Sequence, residues 1–239
     1  MKKILVLGIA FALVLGWSFT PVVGNALTID FGMVAPTAGS ISYNVVGGPL
    51  VGTNIQVDNV VDVDVGSPLY TVINGLMNFT TGNLTGAGVN GWNFGGGALT
   101  TITIVGGVGL DLNSDGDFID LGESIIIPAG TTLLTGNFGT ATVTVIGPTF
   151  KIAGSGFFDT KDRALVELFG GNPALIPGWQ GNFNISFNAA GLPPSTFTST
   201  KVLSGDIVNT PIPEPATMLL LGSGLIGIGV YARRRFRKN

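Results

Sequence analysis

The feature that most constrains the fold is a series of short β-branched runs separated by clusters of Gly, Pro and Asn. The clearest run is Ile55–Val65, where apolar and polar side chains alternate, so that one face of an extended strand is buried and the other is wet. The predicted buried face holds Ile55, Val57, Val61, Val63 and Val65, and the opposite face holds Gln56, Asp58, Asp62 and Asp64. Further runs of this kind are Leu27–Val34, Ile41–Val46, Tyr70–Ile73, Thr100–Val105, Ser124–Ile127, Ala141–Ile146, Phe183–Phe187 and Thr196–Leu203.

The spacing of these runs predicts an all-β fold. Turn clusters such as Gly47–Pro49 and Gly95–Gly97 separate the runs at intervals typical of an antiparallel sandwich or barrel. We therefore predict an antiparallel β-sandwich of about eight to ten strands, of which a jelly roll is one form. The Gly-rich stretch Gly82–Gly97 fits an irregular surface excursion that carries Trp92 and Phe94 near its end.

One segment fits a helix. Asp159–Phe169 has apolar residues on a shared helical face, and Asp159 or Thr160 is a suitable N-cap. Ala164–Phe169 fits a strand almost as well, so the pattern leaves both structures open.

Neither cysteine nor histidine occurs in the 239 residues. This excludes disulfides, Ser-His-Asp and Cys-His catalysis, and the usual His/Cys zinc sites. An enzyme with this composition would have to use carboxylate chemistry, a Ser-Lys pair or an oxygen-ligated metal. We predict no catalytic residue.

Charge divides the chain into a central domain and two ends. We assign 1–26 to a signal peptide, 27–210 to a β-domain outside the cytoplasm and 211–239 to a sorting and anchor segment. The domain contains 13 acidic and 4 basic residues, a net charge of −9, whereas both ends are basic. Nucleic-acid binding needs clustered Lys and Arg, so nucleic acid is not an expected partner.

The N-terminus has the composition of a secretory signal peptide. Lys2 and Lys3 precede the apolar stretch Ile4–Trp17, and small residues up to Ala26 form a cleavage pattern. We therefore expect residues 1–26 to be removed during export.

The C-terminus combines three features in a fixed order. Pro213, Glu214 and Pro215 form a stiff extended motif, because proline restricts both itself and the preceding residue. The uncharged run Ala216–Ala232 has 17 residues, and as a helix it would span about 25 Å, near the lower limit for crossing a bilayer core. Five of the last seven residues are basic, which predicts a cytoplasmic end. They are Arg233, Arg234, Arg235, Arg237 and Lys238.

This C-terminus resembles the PEP-CTERM sorting signal of Gram-negative bacteria. The residue before the motif is Ile212, where the family usually has Val. The resemblance implies an exported protein that is held transiently in the inner membrane by a single transmembrane helix. An exosortase then processes it, and it reaches the cell surface or the medium. An ordinary single-pass anchor with Pro-Glu-Pro as a linker is the alternative.

The segment Asp111–Glu123 is the one stretch of the domain with metal-ligand spacing. Asp111, Asn113 and Asp115 have oxygen-bearing side chains at positions 1, 3 and 5 of this segment, and Gly116 is at position 6. This pattern matches the first half of an EF-hand-type calcium loop. Position 12 is Gly122, with Glu123 one residue late, and the flanks fit strands instead of helices. The predicted ligands of Ca²⁺ are Asp111, Asn113, Asp115, Asp117, Asp120 and Glu123. The alternative is an acidic turn whose side chains cap their own backbone.

These observations favour a non-enzymatic surface or matrix protein with a calcium-stabilised β-domain. The resemblance further implies association with exopolysaccharide or biofilm material. A second hypothesis is a calcium-dependent carbohydrate-binding module that uses exposed aromatic residues among Trp92, Trp179 and Tyr70. A third is a secreted glycan hydrolase with paired carboxylates. Its candidate residues are Asp62, Asp64, Asp159, Asp162 and Glu167.

Overall fold

The computed structural model describes residues 27–64, 68–147, 149–212, 222–225 and 227–228. It confirms an all-β, antiparallel domain. The strands are β1 Ile29–Met33, β2 Ser40–Tyr43, β3 Pro49–Asp62, β4 Tyr70–Gly88, β5 Gly91–Phe94, β6 Thr101–Leu110, β7 Ser124–Phe138, β8 Ala141–Ile146, β9 Thr149–Lys161, β10 Trp179–Ala189 and β11 Phe197–Pro211.

All eleven strands belong to one sheet that closes on itself. The strands β1 and β2 are consecutive in the chain, and each of them pairs with β3 on one side and with β11 on the other. In the same way β5 and β6 share the partner β4, and β7 and β8 share β9. The chain therefore forms an up-and-down meander of eight consecutive segments, and β11, the last, pairs with β1, the first.

This closure corrects the predicted β-sandwich, including its jelly-roll form. A sandwich has two sheets that face each other, whereas hydrogen bonds here continue around the whole circuit. The sequence pattern identifies strands and their buried faces but does not encode which distant edges pair. The decisive pairing joins Ile29 to Asn209 at opposite ends of the domain.

The prediction for Gly82–Gly97 is wrong. This stretch is the hairpin of β4 and β5, and Trp92 and Phe94 are fully or almost fully buried. Its glycines let backbones approach closely: a Cβ on Gly82 would lie 2.7 Å from the carbonyl oxygen of Gly95. High glycine content here reflects close packing, not irregular structure.

The face assignment of β3 is wrong in its second half. Ile55 and Val57 point inward as predicted, but the register with β4 shifts between Val57 and Asn59. After this irregularity Asp62 is 1 % exposed and Val63 is 51 % exposed. A bulge reverses the alternation of faces beyond it, and the sequence pattern contains no sign of the bulge.

The segment after β9 forms a helix, which is one of the two structures that its sequence pattern left open, although the cap differs from the one predicted. Helix α1 is Arg163–Leu168, and a short 3-10 helix follows at Pro173–Leu175. The N-cap is Asp162, whose Oδ1 accepts hydrogen bonds from the backbone N–H groups of Ala164 and Leu165. Asp159 and Thr160, the predicted caps, belong to β9.

The closed sheet has two ends with different connections. At the loop end lie Leu27, Ile212 and the connections 63–69, 111–123 and 162–178. At the turn end lie the connections 44–48, 89–90, 147–148 and 190–196. The loop-end connections contain eight acidic residues and one basic residue, and the turn-end connections contain no charged residue.

Aromatic side chains fill the interior towards the turn end. Tyr43, Trp92, Phe150, Phe187 and Phe197 are buried and contact one another, with ring centroids 4.8–6.0 Å apart. Such pairs contribute about 0.5–1.5 kcal/mol each beyond the area that they bury. This half of the domain is therefore stabilised by apolar packing.

Candidate functional site

The predicted calcium segment forms the whole connection between β6 and β7, which we call the β6–β7 loop (Asp111–Glu123). Its two ends meet where Leu110 pairs with Ser124. Antiparallel strands hold the loop on both sides, as the sequence predicted, so it is not part of a helix-loop-helix pair. The loop therefore starts and ends at one point of the loop end.

The backbone of the β6–β7 loop winds around its own carboxylates. Asp111 accepts hydrogen bonds from the N–H groups of Ser114 and Gly116, at 2.5 and 3.1 Å. Asp115 accepts from the N–H of Asp117, at 3.0 Å. Ser114 and Gly116 have positive φ values of 62° and 89°, which turn successive N–H groups inward. These contacts preorganise the carboxylates, and they are also the contacts expected of a capped acidic turn.

Glu123 closes the loop although it stands one residue late. Its Oε1 accepts from the N–H groups of Leu112 and Asn113, at 2.8 and 3.3 Å. Gly122 has a φ of 94°, and this left-handed turn directs the chain back towards the start of the loop. The second oxygen, Oε2, is buried and has no hydrogen-bond partner. A cation would satisfy this oxygen.

Two groups of carboxylates in the loop have the proximity that a divalent cation requires. Oxygen atoms of Asp111, Asp115 and Glu123 lie within 4.8 Å of one another, as do oxygen atoms of Asp115, Asp117 and Asp120. Such an all-oxygen donor set suits Ca²⁺, which takes six to eight oxygen ligands. The structure thus brings the five predicted carboxylates together.

Asn113, the sixth predicted ligand, lies between the two groups. Its Nδ2 donates to Asp115 at 3.0 Å and to Asp120 at 2.9 Å, and its Oδ1 accepts from the N–H of Asp115. In this arrangement the amide N–H₂ group offsets part of the negative charge. To serve as a ligand, Asn113 must turn its oxygen towards the cation.

The carboxylates considered for glycan hydrolysis have structural contacts. Asp62 accepts from the N–H of Asp64, Asp162 caps α1, and Glu167 pairs with Arg163 at 2.8 Å on the surface. Asp159 forms a buried ion pair. The cleft lined by Phe158 and Trp179 contains Asp159 alone of these carboxylates, and the cleft lined by Gln56 and Leu76 contains none of them.

The ion pair of Asp159 with Lys161 was not predicted. Both side chains point inward from β9 and are fully buried, with Nζ and Oδ1 2.5 Å apart. Lys161 also lies 4.9 Å from the ring centre of Trp179. Burial lowers the pKa of Lys161 to about 8, and Asp159 opposes this shift. The available sequence signal was the alternation of Phe157, Asp159 and Lys161, which places all three on one strand face.

The aromatic residues considered for sugar stacking are mainly core residues. Trp92 and Trp179 are buried, and Tyr70 packs edge-on against Phe169. Sequence reasoning missed Phe158, which is 60 % exposed. It lines an open cleft of about 370 Å³ together with Thr135, Asn137, Thr160 and Ile212, among other residues.

The sorting motif begins where the sheet ends. Pro211 pairs with Trp179, and the N–H of Ile212 donates to the carbonyl oxygen of Gly178 at 2.9 Å. The predicted site residues Pro213, Glu214, Pro215 and Arg233–Arg235 lie outside the described residues, as does the signal peptide. Within the predicted anchor, residues 222–225 and 227–228 are helical. Among the described parts of the chain, no helix is long and apolar enough to cross a membrane.

Comparison with known families identifies the C-terminus. Residues 211–235 match the family model described as PEP-CTERM protein-sorting motif. No curated protein and no solved structure matches the chain significantly. The matched residues include Pro213–Pro215 and Arg233–Arg235. The match begins at Pro211, one residue before Ile212, whose N–H donates to Gly178. A motif of this kind marks an exported protein that an exosortase targets, and the chain is therefore a PEP-CTERM domain-containing protein.

Proposed function

We propose that this chain is a non-enzymatic surface or extracellular-matrix protein that associates with exopolysaccharide or biofilm material. In this proposal the signal peptide 1–26 directs export, and Ala216–Ala232 holds the precursor in the inner membrane. An exosortase then cuts near Pro213–Pro215 and releases the β-domain to the surface or the medium. The single observation that carries the proposal is the sorting motif, joined directly to a closed β-domain at Ile212.

The test of processing is Glu214→Ala in the native bacterium. We expect the precursor to accumulate in the membrane fraction at its uncleaved size, because the motif presents Glu214 to the processing enzyme. Glu167→Ala is the matched control, because it removes an exposed glutamate of α1 that lies outside the motif. Normal release of the Glu214→Ala protein would contradict the proposal.

We further propose that Ca²⁺ bound in the β6–β7 loop stabilises the domain. Five carboxylates lie in this loop, and their mutual repulsion falls when a cation binds. The buried, unpartnered Oε2 of Glu123 supports a cation over a bare turn.

Thermal unfolding of residues 27–212, which contain the whole sheet and its core, tests the calcium site. At a hundredfold excess of calcium over the dissociation constant, we expect stabilisation of about 2.7 kcal/mol relative to EDTA. Asp115→Ala should abolish this shift, because Asp115 belongs to both carboxylate groups. Asp64→Ala, which removes an exposed acid outside the loop, should retain it. Equal melting temperatures with calcium and EDTA would reduce the loop to an acidic turn.

A second candidate function is carbohydrate binding, and the exposed ring of Phe158 favours it. The cleft beside this ring also presents Thr135, Asn137 and Thr160, and an aromatic face with nearby polar groups suits a sugar. Retardation of the domain in gels that contain the organism's exopolysaccharide measures this binding. Phe158→Ala should abolish the retardation, and Leu192→Ala, at an exposed apolar position of the turn end, should not. Equal retardation of both variants would rule out the cleft.

A further inference from the structure

We propose that the β6–β7 loop docks on the anionic lipid surface of the membrane while the chain is still anchored, with calcium bridging its carboxylates and the lipid phosphates. This inference rests on the anchoring proposed above. It assigns the loop a partner and a time of action, before the exosortase cuts.

The first argument is the short reach between the sheet and the anchor. The backbone of Ile212 is fixed to Gly178, and only Pro213–Pro215 separate it from the apolar run that begins at Ala216. Four residue steps of fully extended chain span at most about 14 Å. The headgroup layer on one side of a bilayer is roughly 5 to 8 Å thick. An anchored chain must therefore hold its loop end at the membrane surface.

The second argument is that the β6–β7 loop lies at this same end. Residue pairs across neighbouring strands connect the end of β11 with the loop. Asn209, near the end of β11, pairs with Ile29, and Ile29 pairs with Asp62 of β3. Asn59 of β3 pairs with Thr71 of β4, and Thr71 pairs with Gly109 of β6, beside the start of the loop. The β6–β7 pair also extends past Lys161, the last residue of β9, because β7 pairs with β9 only from Leu134 onward. The loop thus projects from the end that faces the lipid.

The third argument is the apolar surface of the loop. Ile119 is 86 % exposed and Leu121 is fully exposed, and Leu112 and the adjoining β7 residue Ile125 are more than half exposed. These side chains flank the carboxylate groups on the same short segment. Apolar side chains gain free energy when they enter the boundary between headgroups and acyl chains. In the anchored chain this boundary lies within their reach.

The charge of the loop explains why a divalent cation is required. Five carboxylates beside anionic headgroups repel them, and only a bound cation reverses the sign of this interaction. Ca²⁺ uses six to eight oxygen ligands, so an ion held by three carboxylates of the loop retains positions for phosphate oxygens. Docking should therefore depend on calcium.

The absence of cysteine from the chain makes a clean test possible. Leu121→Cys and Val89→Cys each introduce one exposed thiol, the first in the loop and the second at the turn end. The full chain, labelled with an environment-sensitive fluorophore, is placed in vesicles of phosphatidylethanolamine and phosphatidylglycerol with nitroxide-labelled lipids. Fluorescence quenching is measured with millimolar calcium and with EDTA, and flotation of the vesicles reports anchoring separately.

With calcium, we expect several-fold stronger quenching at position 121 than at position 89, and EDTA should remove the difference. Equal quenching of the two labels in chains that float with the vesicles would overturn docking and leave anchoring intact. Chains that do not float would overturn both. Strong quenching at position 121 that persists in EDTA would support docking and overturn the bridging role of calcium.

Discussion

At the turn end, buried aromatic rings fill the interior and the connections carry no charge, whereas the loop end combines a buried ion pair with eight acidic residues in its connections. The turn end is therefore stabilised by interactions that depend little on pH or on ions. The loop end is adjacent to the sorting motif and to the proposed membrane surface. It contains the proposed calcium ligands and Lys161, whose pKa is lowered to about 8 by burial. We therefore expect the stability contributed by the turn end to be independent of pH and calcium, and the stability contributed by the loop end to depend on them.

The largest effect should follow removal of the central aromatic at the turn end. Trp92→Ala should lower the free energy of unfolding by about 3–5 kcal/mol, because it leaves a large cavity among Phe150 and Phe197. Trp92→Phe should cost less than half as much, since the indole N–H has no hydrogen-bond partner to lose. Chemical denaturation at two pH values measures the loss of unfolding free energy in both variants. A loss that changes with pH would contradict the claim that the turn end depends little on pH.

A change of similar size is expected at the loop end, for a different reason. Lys161→Ala should destabilise the fold by about 3–5 kcal/mol, because it leaves Asp159 buried without its counter-ion. Replacing both partners, as Lys161→Met with Asp159→Leu, should restore most of this loss. Urea unfolding of the three proteins measures the recovery. A double variant as unstable as Lys161→Ala would show that the pair acts through packing instead of charge.

A smaller effect should follow removal of the helix cap. Asp162→Ala should cost about 1 kcal/mol, because two N–H groups of the first turn of α1 lose their acceptor. The loss should be partly recovered by Asp162→Asn, whose side-chain oxygen also accepts. The melting temperature in EDTA checks this without a contribution from calcium, and an unchanged melting temperature would argue that α1 is held by Leu165 and Val166 alone.

The last expected effect is a pH dependence of the loop end. The pKa of Lys161 is about 8 in the folded chain, against an ordinary value of 10.5, so the unfolded chain binds more protons between these values. The stability contributed by this group should consequently rise as pH increases from 8 to 10.5. The Lys161→Met, Asp159→Leu double variant should lack this rise in melting temperature. A parallel rise in both proteins would assign it to other groups.

Local patterns predicted much of the fold and of the candidate site. The alternation identified most strands, with β8 at its observed bounds, and the spacing from Asp111 to Glu123 identified residues that the structure brings together. These features depend on neighbours in sequence. Long-range pairings, such as that of Ile29 with Asn209, leave no mark on a local pattern.

The errors for individual residues and strands also have physical causes. Asp62 faces inward because the register of β3 shifts between Val57 and Asn59, and such a shift depends on the partner strand as well as on β3 itself. The β5 strand was missed because glycine lowers the strand signal while permitting close backbone contact. Lys161 was overlooked because a charged residue in a strand is usually exposed, and only the partner Asp159 makes its burial tolerable.

The pairing of β11 with β1 also has a consequence for the order of folding during export. The two halves of the final contact, between Asn209 and the carbonyl oxygen of Ile29, are 180 residues apart. A chain that is translocated from its N-terminus can form hairpins between neighbouring segments as they emerge, but it cannot complete the circuit until β11 has crossed. The apolar run Ala216–Ala232, the proposed anchor, follows β11 in the sequence. In the proposed anchored precursor, the last and entropically most demanding step therefore takes place in a chain that the membrane already holds at one end.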